Sequence, residues 1–220
     1  LYRNNGSGSF SPVTASNLMG FQGGDFAFGE IDGDDDPDLL IAGADANSIA
    51  TAKMYTNDGA GVFSEVSGGS MPGIPGFRDC SMAFEDIDGD SDLDVLLCGN
   101  DDNLTGIYRS VFYENNGTGS FTEVAGTQLE GIIHGDIAFA DVDKDQDPDV
   151  LISGFDLGGP YTHLYTNDGN WNFTVGPANL FEEVHTSIVV FSDVDNDSDL
   201  DVFVLGTNGN WTSSNYLYTN

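Results

Sequence analysis

Apolar residues along this chain come in bursts of three to five, rich in Val, Ile, Leu and Phe and bounded by Gly, Asn and Asp. Such bursts predict short β-strands, and no segment of 12 or more residues keeps the 3.6-residue stripe of an amphipathic helix. The bursts recur in a fixed order. Phe26-Ala-Phe28, Met82-Ala-Phe84, Ile137-Ala-Phe139 and Val189-Val-Phe191 each precede an acidic run; Leu39-Leu-Ile41, Val95-Leu-Leu97, Val150-Leu-Ile152 and Val202-Phe-Val204 each follow one. A variable Gly/Asn/Asp-rich loop comes next, then a segment running Tyr55 to Phe63, Tyr113 to Phe121 or Tyr165 to Phe173. The same segment opens the chain, Tyr2 to Phe10, and a further copy begins at Tyr218. Its Asn-Asp-Gly or Asn-Asn-Gly is hairpin-turn chemistry, because Gly and Asn adopt positive φ at low cost.

The spacing turns these elements into a repeat. Asp32, Asp88, Asp143 and Asp195 hold the same place in successive copies, 56, 55 and 52 residues apart. Each unit supplies four strands as two hairpins in series, which is one propeller blade. The expected fold class is all-β, a β-propeller of four-stranded antiparallel blades, with one array over residues 1–220 and a half-blade at 1–13. The first strand of each unit carries large residues on one face and Ala27, Ala83, Ala138 or Val190 on the other, so it is expected to be buried on both faces. An ordinary β-sandwich also buries two faces, yet it gives no reason for a fixed repeat.

Charge changes the picture next. The 220 residues carry 37 Asp+Glu against 5 Lys+Arg, a net charge of −32. With 39% hydrophobic and 11% aromatic residues there is enough apolar material for a core, so the charge does not imply disorder. Nucleic acid and anionic membrane surfaces are excluded as partners by the scarcity of cations, and no apolar run is long enough for a membrane helix. No signal peptide is visible, and a chain that opens at Leu1 reads as a mature product or an excerpt.

Twenty-one of the acids fall in four runs: Glu30, Asp32, Asp34, Asp35, Asp36 and Asp38; Asp86, Asp88, Asp90, Asp92 and Asp94; Asp141, Asp143, Asp145, Asp147 and Asp149; Asp193, Asp195, Asp197, Asp199 and Asp201. Carboxylates so close repel one another by several kcal/mol unless a cation compensates. Calcium suits an all-oxygen set, and the absence of His and Cys from the runs argues against zinc, copper and iron. The EF-hand loop is excluded because it needs Gly at its sixth position, Glu at its twelfth and flanking helices.

The unit Phe-Ala-Phe-x-Glu/Asp-Ile/Val-Asp-x-Asp-x-Asp-x-Asp, followed by Leu-Tyr-x-Asn-Asn/Asp-Gly-x-Gly-x-Phe, resembles the FG-GAP/VCBS repeat family over nearly the whole chain. That family builds calcium-binding β-propellers in integrin α-subunit heads and in bacterial secreted and surface proteins. The resemblance implies side-chain ligands at the first, third, fifth and ninth positions of each run and a main-chain carbonyl at the seventh, which is Asp36, Asp92, Asp147 or Asp199. About four Ca²⁺ per chain are then expected, structural rather than catalytic. Glu30 departs from the first-position Asp, and Pro37 and Pro148 stiffen two loops just before the last ligand.

The expected function is a non-catalytic extracellular module for adhesion or self-assembly, partnering calcium, glycans, surface proteins or further copies of itself. The alternative is an accessory or carbohydrate-binding domain of a secreted carbohydrate-active enzyme. No Gly-x-Ser-x-Gly or His-Glu-x-x-His occurs. Gln22, Arg78, His134 and His185 stand seven or eight residues before each run, opposite the calcium loops, as candidate ligand-binding residues. Cys80 and Cys98 fit either a cross-strand disulfide or two buried thiols. Of six Asn-x-Ser/Thr sequons, Asn5, Asn103, Asn116, Asn172, Asn196 and Asn210, the turn positions Asn5 and Asn116 are the better glycosylation candidates.

Overall fold

A computed structural model describes residues 1–13, 18–66, 74–101 and 106–220. Among the described residues there is no helix. A hairpin, β1 (Tyr2–Asn4) with β2 (Phe10–Pro12), precedes four antiparallel sheets, each built in chain order. Sheet I holds β3 (Gln22–Gly29), β4 (Asp38–Ala44), β5 (Ala50–Asn57) and β6 (Phe63–Glu65). Sheet II holds β7 (Phe77–Glu85), β8 (Asp94–Asp101), β9 (Ile107–Asn115) and β10 (Phe121–Glu123). Sheet III holds β11 (Ile133–Ala140), β12 (Asp149–Phe155), β13 (Pro160–Asn167) and β14 (Phe173–Val175), and sheet IV has β15 (Val184–Ser192), β16 (Asp201–Asn208) and β17 (Ser213–Tyr218).

The second strand of each sheet shows why the sheets stack. Val95 and Leu97 of β8 join the core between sheets I and II, with Leu40, Ala42, Met54 and Met82. Leu96 and Cys98 of the same strand join the core between sheets II and III, with Phe112, Ile137, Val150 and Ile152. Leu151 repeats the pattern toward Val189, Val202 and Val204 of sheet IV. A strand with apolar residues at successive positions, Val95 to Cys98, is thus buried on both faces. First strands also meet in chain order, β3 with β7, β7 with β11 and β11 with β15. Each fully buried large side chain contributes about 1.5–3 kcal/mol, against about 1 kcal/mol for a net hydrogen bond. Packing therefore holds neighbouring sheets together, and polar bridges set their register.

Those bridges lie at an irregularity shared by all four first strands. Pairing slips between Gln22 and Asp25, Arg78 and Ser81, Ile133 and Asp136, and His185 and Ile188. Gly23, Asp79, His134 and Thr186 all adopt left-handed φ at these bulges. The extra residue turns the next side chain toward the neighbouring sheet. Asp25 Oδ2 accepts from Met82 N at 3.0 Å, Ser81 Oγ donates to Gly135 O at 2.5 Å, and Asp136 Oδ2 accepts from Val189 N at 2.9 Å.

Burial of the first strands on both faces fails at the two ends of the stack. Phe26 is 60% exposed and Phe28 is also exposed, because among the described residues no complete sheet packs on that face of sheet I. Ile188, Val190, Phe203, Leu205 and Leu217 are exposed on sheet IV, where no further sheet packs among the described residues. The first and last sheets do not pack on one another as neighbours do, so the stack is open. Cys80 and Cys98 are separate buried thiols, which resolves the choice the sequence left open; burial pushes both up to about 12.

A Cβ at Gly135 would stand 1.8 Å from Ser153 O, whereas one at Gly20 meets nothing within 4 Å. Gly135→Ala is expected to destabilise the fold by about 2 kcal/mol or more, and Gly20→Ala to leave it unchanged, as read from urea unfolding midpoints of the two variants.

Candidate metal centres

Each acidic run forms the connection between the first and second strands of a sheet. The chain coils there because its fourth and sixth residues are left-handed: Gly33 and Asp35, Gly89 and Ser91, Lys144 and Gln146, Asn196 and Ser198, with φ between 62° and 86°. That alternation turns the first and third side chains, with the fifth or the ninth, toward a common centre. In the first and third loops it gathers Glu30, Asp32 and Asp38, and Asp141, Asp143 and Asp149. In the second and fourth it gathers Asp86, Asp88 and Asp90, and Asp193, Asp195 and Asp197. Within each group, one ligand oxygen per residue lies within 4.8 Å of the others.

The first acid of each run holds its own loop. Asp86 accepts from Gly89 N and Ser91 N, both at 3.0 Å; Asp141 accepts from Asp145 N and Gln146 N; Asp193 accepts from Asn196 N and Ser198 N. Glu30 uses its extra methylene to grip nearer residues, with Oε1 accepting from Asp32, Gly33 and Asp34 N. The fifth acid accepts from the N–H two residues on, as Asp34 does from Asp36 and Asp145 from Asp147.

The ninth acid is buried in every run. Asp38, Asp94, Asp149 and Asp201 each accept through Oδ1 from the N–H of Asn57, Asn115, Asn167 or Asn220, at 2.9–3.0 Å. The Oδ2 atoms of Asp94, Asp149 and Asp201 accept from Ile87, Val142 and Val194 N at the loop entrance. The same asparagines reach the preceding sheet: Asn115 Nδ2 donates to Ile31 O at 2.9 Å and Asn167 Nδ2 to Ile87 O at 3.1 Å. Sequence reading passed over these asparagines, although Tyr-x-Asn recurs in every unit as a visible signal.

The seventh acid faces away. A Cβ at Gly59, Gly117 or Gly169 would fall 2.5–2.7 Å from the carboxylate of Asp36, Asp92 or Asp147, so these side chains lie on the hairpin turn, and Asp199 pairs with Lys144. The glycines answer two demands there, a φ of 71–72° and the absence of a side chain.

Electrostatically the loops are unbalanced. Burial pushes Asp94 up to about 7 and Asp38 up to about 6, against the downward pull of the Asn115 and Asn57 N–H groups. Asp32 is raised by burial and then by Asp34 and Glu30. Glu30 Oε2, Asp32 Oδ1, Asp38 Oδ2 and Asp88 Oδ1 are buried oxygens without a hydrogen-bond donor. Three of the four belong to one group. Buried polar atoms are ordinarily satisfied, and what suits several orphaned carboxylate oxygens at one point is a hard cation. The residues present therefore fit a divalent metal.

The four residues opposite the loops do not form one site. Gln22, Arg78 and His185 share a register, but His134 sits one residue later, on the bulge, and Ile133 holds the equivalent place. His134 and His185 line one cleft, and neither Gln22 nor Arg78 lines it. Asn5 and Asn116 are exposed, and their side-chain oxygens hold their turns by accepting from Ser7 and Thr118 N. Asn103 lies outside the described residues. Glu65 and Glu123 pair with Lys53 and Arg109.

Removing the ninth acid and removing the seventh should differ sharply. Asp94→Ala strands two buried N–H donors and is expected to cost about 2–4 kcal/mol. Asp92→Ala removes a turn-facing carboxylate and should change stability by less than about 0.5 kcal/mol, both read from chemical denaturation in the presence of a chelator.

Comparisons with known proteins follow this geometry. The model of the FG-GAP-like repeat matches three times, over residues 31–97, 86–152 and 141–204. No curated protein matches the chain. Among solved structures, the endo-arabinase of Bacteroides thetaiotaomicron is similar with a TM-score of 0.54 at 14% identity, over 97% of this chain and 80% of that one. The exo-beta-1,3-galactanase of Phanerochaete chrysosporium, solved with beta-1,3-galactotriose, is similar with a TM-score of 0.51 at 14% identity, over 93% of this chain and 48% of that one. At such identity the likeness is one of fold. Acidic loops and matched segments coincide unit by unit, and the chain belongs to the FG-GAP-like repeat family.

Proposed function

We propose that this chain is a calcium-stabilised β-propeller module, non-catalytic and extracellular, that serves carbohydrate recognition beside a carbohydrate-active partner or domain. The observation that carries the metal half is the set of orphaned carboxylate oxygens inside the first acidic group. One ion per loop gives about four per chain. The donors are carboxylates and main-chain carbonyls in an irregular coil, which favours calcium over magnesium with its strict octahedron. When bound, the ion offsets part of the loop's negative charge. The side chains of Glu30, Asp32, Asp34 and Asp38 and their counterparts would hold it, while the seventh residue offers its main chain.

Blade-like stacking through first strands supports the propeller reading, and so does the likeness to the two carbohydrate-active enzymes. That likeness also favours the carbohydrate reading over adhesion or self-assembly, for which no comparison speaks. Extracellular calcium is plentiful enough to fill loops of modest affinity, which is the reason for the proposed location.

Native mass spectrometry in calcium buffer should report four ions per chain, and chelation should lower the unfolding midpoint. At calcium one hundredfold above Kd, each site adds about 2.7 kcal/mol. Fewer than three ions, or zinc displacing calcium at equal concentration, would refute the metal reading. For the carbohydrate half, the calcium-loaded chain should be retained on insoluble neutral polysaccharide without releasing reducing ends.

A further inference from the structure

A cleft of about 420 Å³ opens at the strand ends remote from the acidic loops, within the size range of small-molecule sites, about 300–1,000 Å³. Tyr108 of β9, His134 of β11, Phe155 of β12, His185 and Thr186 of β15, and Trp211 in the β16–β17 turn line it. Sheets II, III and IV therefore all contribute to it.

Trp211 is the feature that the fold does not account for. It is 77% exposed and sits at φ 58°, in the left-handed region where a bulky residue is strained. The turn that holds it is well made: Trp211 N donates to Asn208 O, and Asn208 Oδ1 accepts from Asn210 and Thr212 N. The matching turn of sheet I places Ser48 in the same left-handed region, at φ 62°. Trp171 is also left-handed, but it packs on Phe112 and donates to Asp88, so its place is explained by contacts. The indole of Trp211 touches only the edge of the cleft, meeting the His185 ring at a centroid distance of 5.1 Å and 75°. His185 meets Phe155 on another side at 5.3 Å, and its Nδ1 lies 3.0 Å from Thr186 Oγ1. The buried imidazole is thereby held between two aromatic rings, with the exposed indole beside it.

The lining is also electrically unlike the rest of the molecule. It contains no carboxylate, amine or guanidinium, in a chain of net charge −32. Burial, and then the nearby His134, hold His185 below its ordinary value, so it is neutral at pH 7. With Nδ1 engaged by Thr186, the neutral imidazole keeps Nε2 to donate or to accept according to its tautomer. An anion would be repelled by the surrounding field and a cation would find no counter-charge in the cleft. A neutral ring with one apolar face and a rim of hydroxyls meets both the indole and the polar groups.

We infer that this cleft is a neutral-sugar subsite, with Trp211 as the stacking platform and His185, Thr186 and Tyr108 as hydroxyl partners. The inference rests on the carbohydrate reading above and names the place where it operates.

The test is titration of the calcium-loaded full chain with beta-1,3-galactotriose and with arabinotriose, backed by an array of neutral glycans, following tryptophan fluorescence and calorimetric heat. Trp211→Gly suits the left-handed turn, so it should fold with unchanged unfolding midpoint and calcium count while losing about tenfold or more in affinity. Trp211→Phe should retain most of the binding and His185→Ala should weaken it. Wild-type binding that survives Trp211→Gly and His185→Ala undiminished would overturn this site and leave the carbohydrate reading standing. A wild-type chain that binds no glycan of the array would overturn both.

Discussion

At the foot of each second strand, a carboxylate excluded from water holds backbone N–H groups from two places in the chain. Asp94 joins Ile87 at the loop entrance to Asn115 at the end of the third strand, and Asp149 and Asp201 make the same join in their sheets. The acidic loop cannot shift without breaking a contact that the third strand also needs. Through the asparagine side chains the join extends to the preceding sheet, at Ile31 and Ile87. A local polar contact thus sets how one unit sits on the next, while packing of Leu96, Leu151 and their neighbours supplies the larger share of the energy.

That arrangement makes each loop a conflict held in place. The ninth acid must be buried to do its structural work, and burial raises the pKa of Asp38, Asp94 and Asp149; in the first loop Asp34 and Glu30 also raise that of Asp32. The coil that brings them together also strains ordinary residues such as Lys144 and Gln146 into left-handed φ. A fold that pursued stability alone would not gather such groups at one point. Their convergence suits the cation proposed to sit among them.

Much of this was legible in the residues. Period, strand order and acidic clusters follow from apolar bursts and from the even spacing of Asp, because a strand two residues in period and a loop with alternating side chains leave direct marks. Other features leave none. The one-residue offset of His134 comes from a bulge, and a bulge adds a residue without altering the apolar pattern on either side. The exposure of Phe26 and Val190 depends on whether a neighbouring sheet exists, which no pattern within the strand records. The division of labour among acids was equally hidden: Asp92 and Asp94 are the same residue type two positions apart, yet one lies on a turn and the other inside the sheet stack. Trp211 escaped notice because a turn Trp carries no periodic signature.

The open faces at the two ends of the stack have a consequence for ancestry. Phe26 and Phe28 occupy positions where sheet II has the buried Met82 and the half-buried Phe84, and Phe203 and Leu205 match the buried Leu96 and Cys98. A unit duplicated or deleted within the gene would therefore meet the same kind of surface on both sides. Array length can change in whole units with no new interface to invent, so this architecture is free to drift in size while each unit stays under strict internal constraint.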